Sequence, residues 1–290
     1  MRVAVTGGTG LVGRFIVNDL LREGHDVTVM TRRPPLPDFF AKHAAHQFYD
    51  LDADVPDLKR LDAIVHAAFD HVPGRYRGGE GDDPEGFLRR NLDGSLRLFD
   101  AAAEAGRRVV FISTRAVYGP QNGMLTEDMV CRPDTLYGKA KLQAEKALLA
   151  SGQQATVLRV TGVYGPPGPG QRHKWADLFD DFAAGKRIAP RVGTEVHGDC
   201  LAIAVGRGLD GADGIYNVSD IVLDRRDLLE EWRAVTGIDG RLPDRADASA
   251  ISRMSTEKLE KTGYWPGGIE WLRSALREIA EQAGILPKGA

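Results

Sequence analysis

One short glycine-rich segment constrains the fold of this chain more than any other feature. It follows a β-branched run, Arg2–Thr6, and precedes an apolar helical pattern over Leu11–Glu23. Glycines at such a junction allow a tight turn, close approach of backbone N–H groups to a pyrophosphate, and close helix–strand packing. The N-terminus of the following helix adds a partial positive charge. The segment therefore predicts a dinucleotide-phosphate site that includes Gly7, Gly8, Gly10, Leu11, Val12 and Gly13.

Strand-like and helical segments alternate through the first half of the chain. The predicted strands are Arg2–Thr6, Asp26–Met30, His46–Tyr49, Ala63–His66, Arg108–Ser113 and Thr156–Val160. The predicted helices are Leu11–Glu23, Pro84–Gly106 and Leu136–Ala150. Such alternation is typical of an α/β fold with a doubly wound parallel sheet that helices cover on both faces.

The pattern changes after Thr161. The run Gly165-Pro166-Pro167-Gly168-Pro169-Gly170 cannot lie inside a regular element and predicts a loop that leaves the sheet. Short helices follow, with one strand at Ile215–Val218; these helices are Trp175–Ala184, Asp199–Leu209, Arg225–Val235 and Ile269–Gln282. We therefore predict a dinucleotide-binding domain over 1–165, with later contributions near 194–220. A smaller, partly interleaved substrate lobe would comprise 166–193 and 221–290.

Composition excludes several classes of protein. The 290 residues carry 38 Lys and Arg against 41 Asp and Glu, a net charge of −3, which argues against nucleic-acid binding. No apolar run reaches the roughly 18 residues of a membrane helix, and the N-terminus enters a strand rather than a signal peptide. Cys131 and Cys200 lack metal-ligand spacing. We expect a cytoplasmic protein with no metal, membrane or nucleic-acid partner.

The end of the second strand bears on the choice between NAD and NADP. An acidic residue there would bind the ribose 2′-hydroxyl, whereas arginine would accept a 2′-phosphate. The chain reads Val29-Met30-Thr31-Arg32-Arg33, without an acid. Arg32 and Arg33 therefore favour NADP as the cofactor.

Tyr137 and Lys141 are four positions apart in a predicted helix, so their side chains share one face. A free tyrosine has a pKa near 10, and a neighbouring cation favours the phenolate. Tyr137 is therefore a candidate general acid/base for interconverting an alcohol and a ketone. The strand that ends in Ser113-Thr114 brings hydroxyls to the carboxyl edge of the sheet, where ligands bind.

The chain resembles the extended short-chain dehydrogenase/reductase superfamily, and in particular the NAD-dependent epimerase/dehydratase family. The resemblance is carried by Thr6–Gly13, His66-Ala67-Ala68, Asn91-Leu92-Asp93-Gly94, Ser113–Gly119, Tyr137–Lys141, Arg159–Pro166, Val196–Asp199 and Tyr216-Asn217-Val218.

The resemblance implies a Rossmann-type sheet and a homodimer. It also implies that Thr114 orients the substrate, Tyr137 transfers the proton, and Lys141 lowers the tyrosine pKa and binds the nicotinamide ribose. The remaining cofactor contacts implied are Asp50, Leu51, Ala67, Ala68, Asn91, Ser113 and Val160.

Two departures from the family pattern concern the substrate. Gly162 stands where family epimerases usually carry an asparagine, and Gly193 stands where nucleotide-sugar enzymes usually carry an arginine. These departures argue against a UDP-sugar epimerase. Phe69 and His197 are further candidates for substrate contact, and the loop Phe69–Glu80 is a candidate cover for the site.

These observations predict an NAD(P)-dependent oxidoreductase that interconverts a secondary alcohol and a ketone on a sugar or sugar derivative. One alternative is a nucleotide-sugar epimerase or dehydratase without net redox change, which would use the same residues. Another is an NADP-sensing binding module that lacks catalysis.

Overall fold

The computed structural model describes residues 1–72, 78–249 and 251–289. The strands in these ranges are β1 (Arg2–Thr6), β2 (Asp26–Thr31), β3 (Ala45–Phe48), β4 (Ala63–His66), β5 (Arg108–Thr114), β6 (Ala155–Val160), β7 (Gly162–Tyr164), β8 (Val192–His197), β9 (Gly214–Val218) and β10 (Ile221–Asp224). Seven of them form one parallel sheet in the order β3-β2-β1-β4-β5-β6-β9. This arrangement confirms the predicted doubly wound parallel sheet.

The helices are α1 (Leu11–Arg22), α2 (Pro84–Leu88), α3 (Gly94–Glu104), α4 (Leu136–Ala150), α5 (Ala176–Ala183), α6 (Gly198–Leu209), α7 (Arg225–Thr236), α8 (Glu257–Glu260) and α9 (Gly268–Gln282). A π-helical turn at Arg89–Asp93 separates α2 from α3, where the sequence predicted one regular helix. None of the helices in the described ranges is long and apolar enough to cross a membrane.

Two apolar layers cover the parallel sheet. Val5, Val110 and Leu158 belong to the layer that includes residues of α1 and α6, whereas Ile64 and Phe111 belong to the layer that includes residues of α3 and α4. Because both faces are covered, successive residues of the central strands are buried, as is typical of parallel sheets. At the carboxyl edge of the sheet, the glycine-rich loop follows β1, and Lys141 of α4 reaches Ile112 near the end of β5.

A second, three-stranded sheet has the order β10-β8-β7 and packs with α5, α7 and α9 around a separate apolar core. The sequence did not predict β7, β8 or β10. These strands have only three to six residues and include Gly162, Gly193 and Glu195, which have low strand propensity. Their pairing depends on partners that are distant in the chain. By contrast, β9 pairs with β6 and α6 packs on α1, so part of the 194–220 segment does contribute to the larger sheet.

Candidate functional site

The glycine-rich loop is shaped by close backbone contacts. Gly7 adopts φ +66°, and its N–H donates to Met30 O at 3.0 Å. A Cβ on Gly7 would lie 2.8 Å from Ala68 Cα, and one on Gly13 would overlap Gly7 O. Gly10 is exposed and is the N-cap residue that precedes α1. The loop therefore forms a cradle that side chains would fill, and this cradle fits the diphosphate of a dinucleotide.

A buried hydrogen-bond chain fixes the wall beside this loop. Thr6 Oγ1 accepts from the N–H groups of Ala67 and Ala68 at 3.1 Å, and it lies 2.7 Å from His66 Nδ1. His66 Nε2 lies 2.9 Å from Ser95 Oγ. Burial lowers the pKa of His66 to about 3, so the ring is neutral. We infer that Thr6 donates to Nδ1 and that Nε2 carries the ring hydrogen. The alanine pair is thereby held against Gly7.

The Asn91 side chain holds Asp70, in the segment that follows β4 and the alanine pair. Its side-chain oxygen accepts from Asp70 N–H at 2.7 Å, and its amide nitrogen donates to Asp70 O at 2.7 Å and Phe87 O at 3.0 Å. The Asn91 side chain therefore supports the loop that carries Phe69. Its role as a direct cofactor contact stays a prediction.

The sequence-predicted tyrosine and lysine lie in the first turns of α4. Thr135 caps this helix by accepting from Gly138 N–H at 3.0 Å. Tyr137 is half-buried, and its ring meets the Phe69 ring edge-to-face at 4.9 Å between centroids. Lys141 Nζ lies 4.7 Å from the centroid of the same Phe69 ring. Phe69 therefore contacts both members of the Tyr137–Lys141 pair.

The Lys141 ammonium is fixed at the end of β5. Nζ donates to Ile112 O at 2.8 Å and lies 4.6 Å from the centroid of the Phe111 ring. Burial lowers the pKa of Lys141 to about 7, and the Glu145 carboxylate opposes this shift. Thr114 comes two residues after Ile112, and its Oγ1 accepts from Ala116 N–H at 3.1 Å. The hydroxyl hydrogen of Thr114 thus remains available for donation.

A buried ion pair that the sequence analysis missed lies behind these residues. Arg159 Nη2 is 2.8 Å from Glu145 Oε2, and these side chains are 4% and 1% exposed. Ser113 Oγ donates to the Glu145 carboxylate. The Ser113 hydroxyl is thus engaged behind the strand, and its predicted cofactor contact receives no support from this hydrogen bond. The sequence did offer one indication of this ion pair: Glu145 comes four residues after Lys141, as Lys141 comes four residues after Tyr137, so the three side chains share one face of the helix.

The remaining predicted cofactor residues lie along the carboxyl edge of the sheet. Arg32 and Arg33 are exposed after β2. Asp50 accepts from Asp52 N–H at 2.9 Å and Leu51 is buried beside it. Val160 is buried opposite Thr114 in the β5–β6 register. Gly8 is buried, and Leu11 and Val12 are half-buried at the start of α1.

His197, a predicted substrate contact, packs among aromatic rings and caps a helix. Its ring packs 5.6 Å from Phe15, 5.2 Å from Tyr164 and 5.2 Å from Trp271, between ring centroids. Its Nδ1 accepts from Asp199 N–H at 3.1 Å and so caps α6. These contacts favour a structural role. The predicted covering loop Phe69–Glu80 includes residues 73–77, which lie outside the described residues.

No group of three or more His, Cys, Asp or Glu side chains in the described part of the chain is arranged to hold a metal ion. The charged groups described above are the Lys141 ammonium, which bonds Ile112 O, and the Glu145–Arg159 pair.

The chain is similar to known proteins over most of its length. The model of the NAD dependent epimerase/dehydratase family matches residues 3–199. A UDP-glucose 4-epimerase from Lactobacillus helveticus is 30% identical over 236 residues, which are 77% of this chain and 68% of the epimerase. The structure of a Thermus thermophilus UDP-glucose 4-epimerase in complex with NAD superposes with a TM-score of 0.79 at 26% identity, covering 96% of this chain and 99% of that chain.

A third relative is the methionine adenosyltransferase 2 subunit beta of Bos taurus, 31% identical over 170 residues. That match covers 57% of this chain, and the chain spans about half the length of this relative, 47%.

The chain belongs to the NAD-dependent epimerase/dehydratase family. It is an enzyme of the extended short-chain dehydrogenase/reductase type, with a Rossmann-type sheet. The catalytic roles of Tyr137 and Lys141 stay predictions. Within that class, the relatives support an epimerase better than an enzyme with net redox chemistry, which reverses the order that the sequence alone favoured.

Proposed function

We propose that this enzyme epimerises a secondary-alcohol carbon of a sugar, with NAD or NADP as a recycled cofactor. The observation that carries the proposal is the hydrogen bond from Lys141 Nζ to Ile112 O. It places the ammonium at the strand end that also carries Thr114, while Lys141 and Tyr137 share the Phe69 ring as a neighbour. A donor hydroxyl, a phenol and a cation in one place support proton transfer to and from a hydroxyl.

Each residue of this chain has a separate role in the proposed reaction. Thr114 donates its hydroxyl hydrogen to the reacting oxygen of the substrate and orients it. Tyr137 takes the hydroxyl proton in the oxidising direction and returns it in the reducing direction. The Lys141 ammonium favours the phenolate form of tyrosine. When bound, the dinucleotide supplies the hydride acceptor and donor.

The cradle and its walls would hold the cofactor. We assign the diphosphate to the loop from Gly7 to Gly13, and the rest of the dinucleotide to Asp50, Leu51, Ala67, Ala68 and Val160. We further propose a preference for NADP, because Arg32 and Arg33 are exposed at the end of β2 and no acid occupies that strand end. The Thermus thermophilus relative, by comparison, was solved with NAD.

The order of the candidate activities rests on the relatives. UDP-glucose 4-epimerases match most of the chain, which supports epimerisation with a UDP-sugar as the first substrate to assay. Net oxidation or reduction of a sugar is the second candidate, since Thr114, Tyr137 and Lys141 would serve it equally well. A non-catalytic cofactor-sensing module would have no use for this set of three residues.

The discriminating experiment follows product and cofactor together. The purified enzyme is incubated with NAD or NADP and UDP-glucose, UDP-galactose or the corresponding free sugars, and products are identified by NMR. We expect the 4-epimer to form without stoichiometric change in absorbance of the reduced nicotinamide. A stoichiometric absorbance change would instead establish net redox chemistry, and neither product nor absorbance change with any sugar would contradict both candidates.

Two further properties stay proposals. A homodimer would use the surface around α3 and α4, and a cytoplasmic location is expected from the sequence. Light scattering on the purified chain tests the first, since a monomer at all concentrations would contradict it.

A further inference from the structure

Lys174 and Glu195 form a second charged pair, beside the small sheet that carries Gly162 and Gly193. Those two glycines are the positions where the sequence departs from the family pattern. Lys174 Nζ donates to Glu195 Oε2 at 2.5 Å. The Glu195 carboxylate lies against Gly162: a Cβ on Gly162 would be 2.5 Å from Oε2 and 3.0 Å from Oε1. The side chains of Lys174 and Glu195 are 24% and 16% exposed. Both side chains are therefore mostly buried, but a ligand can still reach them.

Strand register places this pair beside the reacting groups. Thr114 on β5 is opposite Val160 on β6, and Gly162 follows two residues later, at most about 7 Å along the chain. Gly162 on β7 is in turn opposite Glu195 on β8. A sugar ring held at Thr114 would thus be within reach of the Glu195 carboxylate.

The surface next to the pair is open. Gly193 lies two residues before Glu195 on β8, so both face the same side of the small sheet. No described heavy atom outside its immediate chain neighbours lies within 4 Å of the point where a Cβ of Gly193 would stand. Space for a ligand therefore adjoins the charged pair.

We propose that the Lys174–Glu195 pair binds neighbouring hydroxyl groups of the substrate and selects a neutral sugar over one that carries a carboxylate at this position. The inference rests on the proposed function above, and it specifies the substrate class of the same site.

The chemistry of the pair supports this choice. A carboxylate accepts hydrogen bonds and an ammonium donates them, so two adjacent hydroxyls can satisfy one each. The pair carries no net charge, and it therefore offers no uncompensated cation for an acidic group. A substrate carboxylate at this position would instead meet the Glu195 oxygens, and like charges in an enclosed site repel strongly.

The test measures the affinity of matched sugars for the cofactor-loaded enzyme by calorimetry. The probes are UDP-glucose against UDP-glucuronic acid, and free glucose against free glucuronic acid. We expect the neutral member of a pair to bind about tenfold more tightly. Glu195→Gln should bring the ratio of the neutral-sugar affinity to the acidic-sugar affinity towards one, mainly because the acidic sugar binds more tightly. Lys174→Met should increase the ratio, because it leaves the Glu195 charge uncompensated.

Two more variants separate the proposal from general damage. Gly162→Ala places a methyl group against the carboxylate without changing any charge, and we expect weaker binding of the neutral sugar. Lys186→Met removes an exposed cation paired with Asp181 on the same lobe, and it should leave the ratio unchanged. Circular dichroism and cofactor affinity confirm that each variant is folded.

Several outcomes would overturn the proposal. They are tighter binding of the acidic sugar by the wild type, an unchanged ratio in Glu195→Gln, or no binding of any of the four sugars. The proposed function has a separate readout in product formation. Turnover of a sugar with an unchanged ratio in Glu195→Gln would therefore reject this inference alone.

Discussion

The cofactor side and the lobe side of this enzyme are built in different ways. On the cofactor side, Tyr137, Lys141 and the glycine loop occupy short motifs, and their surroundings are buried and hydrogen-bonded. On the lobe side, Gly162, Lys174 and Glu195 come from three separate segments and are partly exposed. The difference teaches that the proposed catalytic groups can be recognised in local sequence, whereas the proposed substrate contacts depend on how distant segments meet.

The largest expected effect comes from removing the proposed proton-transfer group. Tyr137→Phe should lower kcat by about 10²- to 10⁴-fold, the usual contribution of a general acid/base, while cofactor affinity persists. Steady-state kinetics and cofactor titration measure the two quantities. Tyr216→Phe, which alters a tyrosine on β9 whose hydroxyl donates to Asp213 O, is the matched control. Equal losses of kcat in Tyr137→Phe and Tyr216→Phe would show that Tyr137 has no special role compared with a tyrosine elsewhere in the sheet.

The second prediction concerns the buried Glu145–Arg159 ion pair, which Ser113 of β5 contacts. Glu145→Gln leaves the Arg159 guanidinium buried without its carboxylate, and should lower the free energy of unfolding by about 3–5 kcal/mol. Urea unfolding measures this change. Asp180→Asn breaks the exposed pair with Arg172 on the lobe and should have no measurable effect. If Glu145→Gln and Asp180→Asn had the same free energy of unfolding, burial would not explain a difference between the cofactor side and the lobe side.

The third prediction concerns the pH dependence of stability. The pKa of Lys141 is about 7 in the folded enzyme and about 10.5 when exposed, so the unfolded chain binds more protons between these values. The contribution of Lys141 to stability should therefore rise as pH increases from about 7 towards 10.5, and fall as pH decreases through 7. The unfolding free energy of wild type minus that of Lys141→Met, measured at pH 7 and pH 9.5, should increase. A flat difference would contradict the burial of this ammonium.

The smallest expected effect concerns cofactor choice. The double variant Arg32→Ala/Arg33→Ala should bind NADP about tenfold more weakly and NAD with unchanged affinity, because only NADP has the 2′-phosphate. Fluorescence titration with both dinucleotides measures the ratio. Arg187→Ala, an exposed arginine of the lobe, provides the control. An NADP affinity that is insensitive to the double variant would reject the proposed preference.

Much of the fold was predictable because its signals are local. The glycine loop, the apolar strands and the helical periodicity each lie within a few residues, and they predicted the seven-stranded sheet almost strand by strand. The sequence did not predict the π-helical turn at Arg89–Asp93, and Asn91 within it bonds Asp70, a contact between separate segments that no local pattern shows. The small sheet escaped prediction as well, because β8 is stabilised by β7 and β10 rather than by its own composition.

The candidate site divides in the same way. Tyr137, Lys141 and Thr114 were predicted from spacing and from the resemblance to the family. Ser113 and His197 stay predicted ligand contacts, and the structure adds partners that the sequence did not show: Glu145 for Ser113, and Phe15, Tyr164 and Trp271 for His197. Hydroxyl and imidazole groups bond neighbours inside the protein as readily as they bind ligands, and the sequence does not show which neighbours they will contact.

The sequence by itself determined the sheet, the glycine-rich loop and the family, because backbone conformation and hydrophobic periodicity are properties of contiguous residues. Only the tertiary structure decided that Glu145 meets Arg159 and that Glu195 meets Lys174 beside Gly162. A charged side chain has no particular partner until folding brings an opposite charge within reach. Which charge arrives depends on strand register and loop geometry, and neither is encoded at a single position.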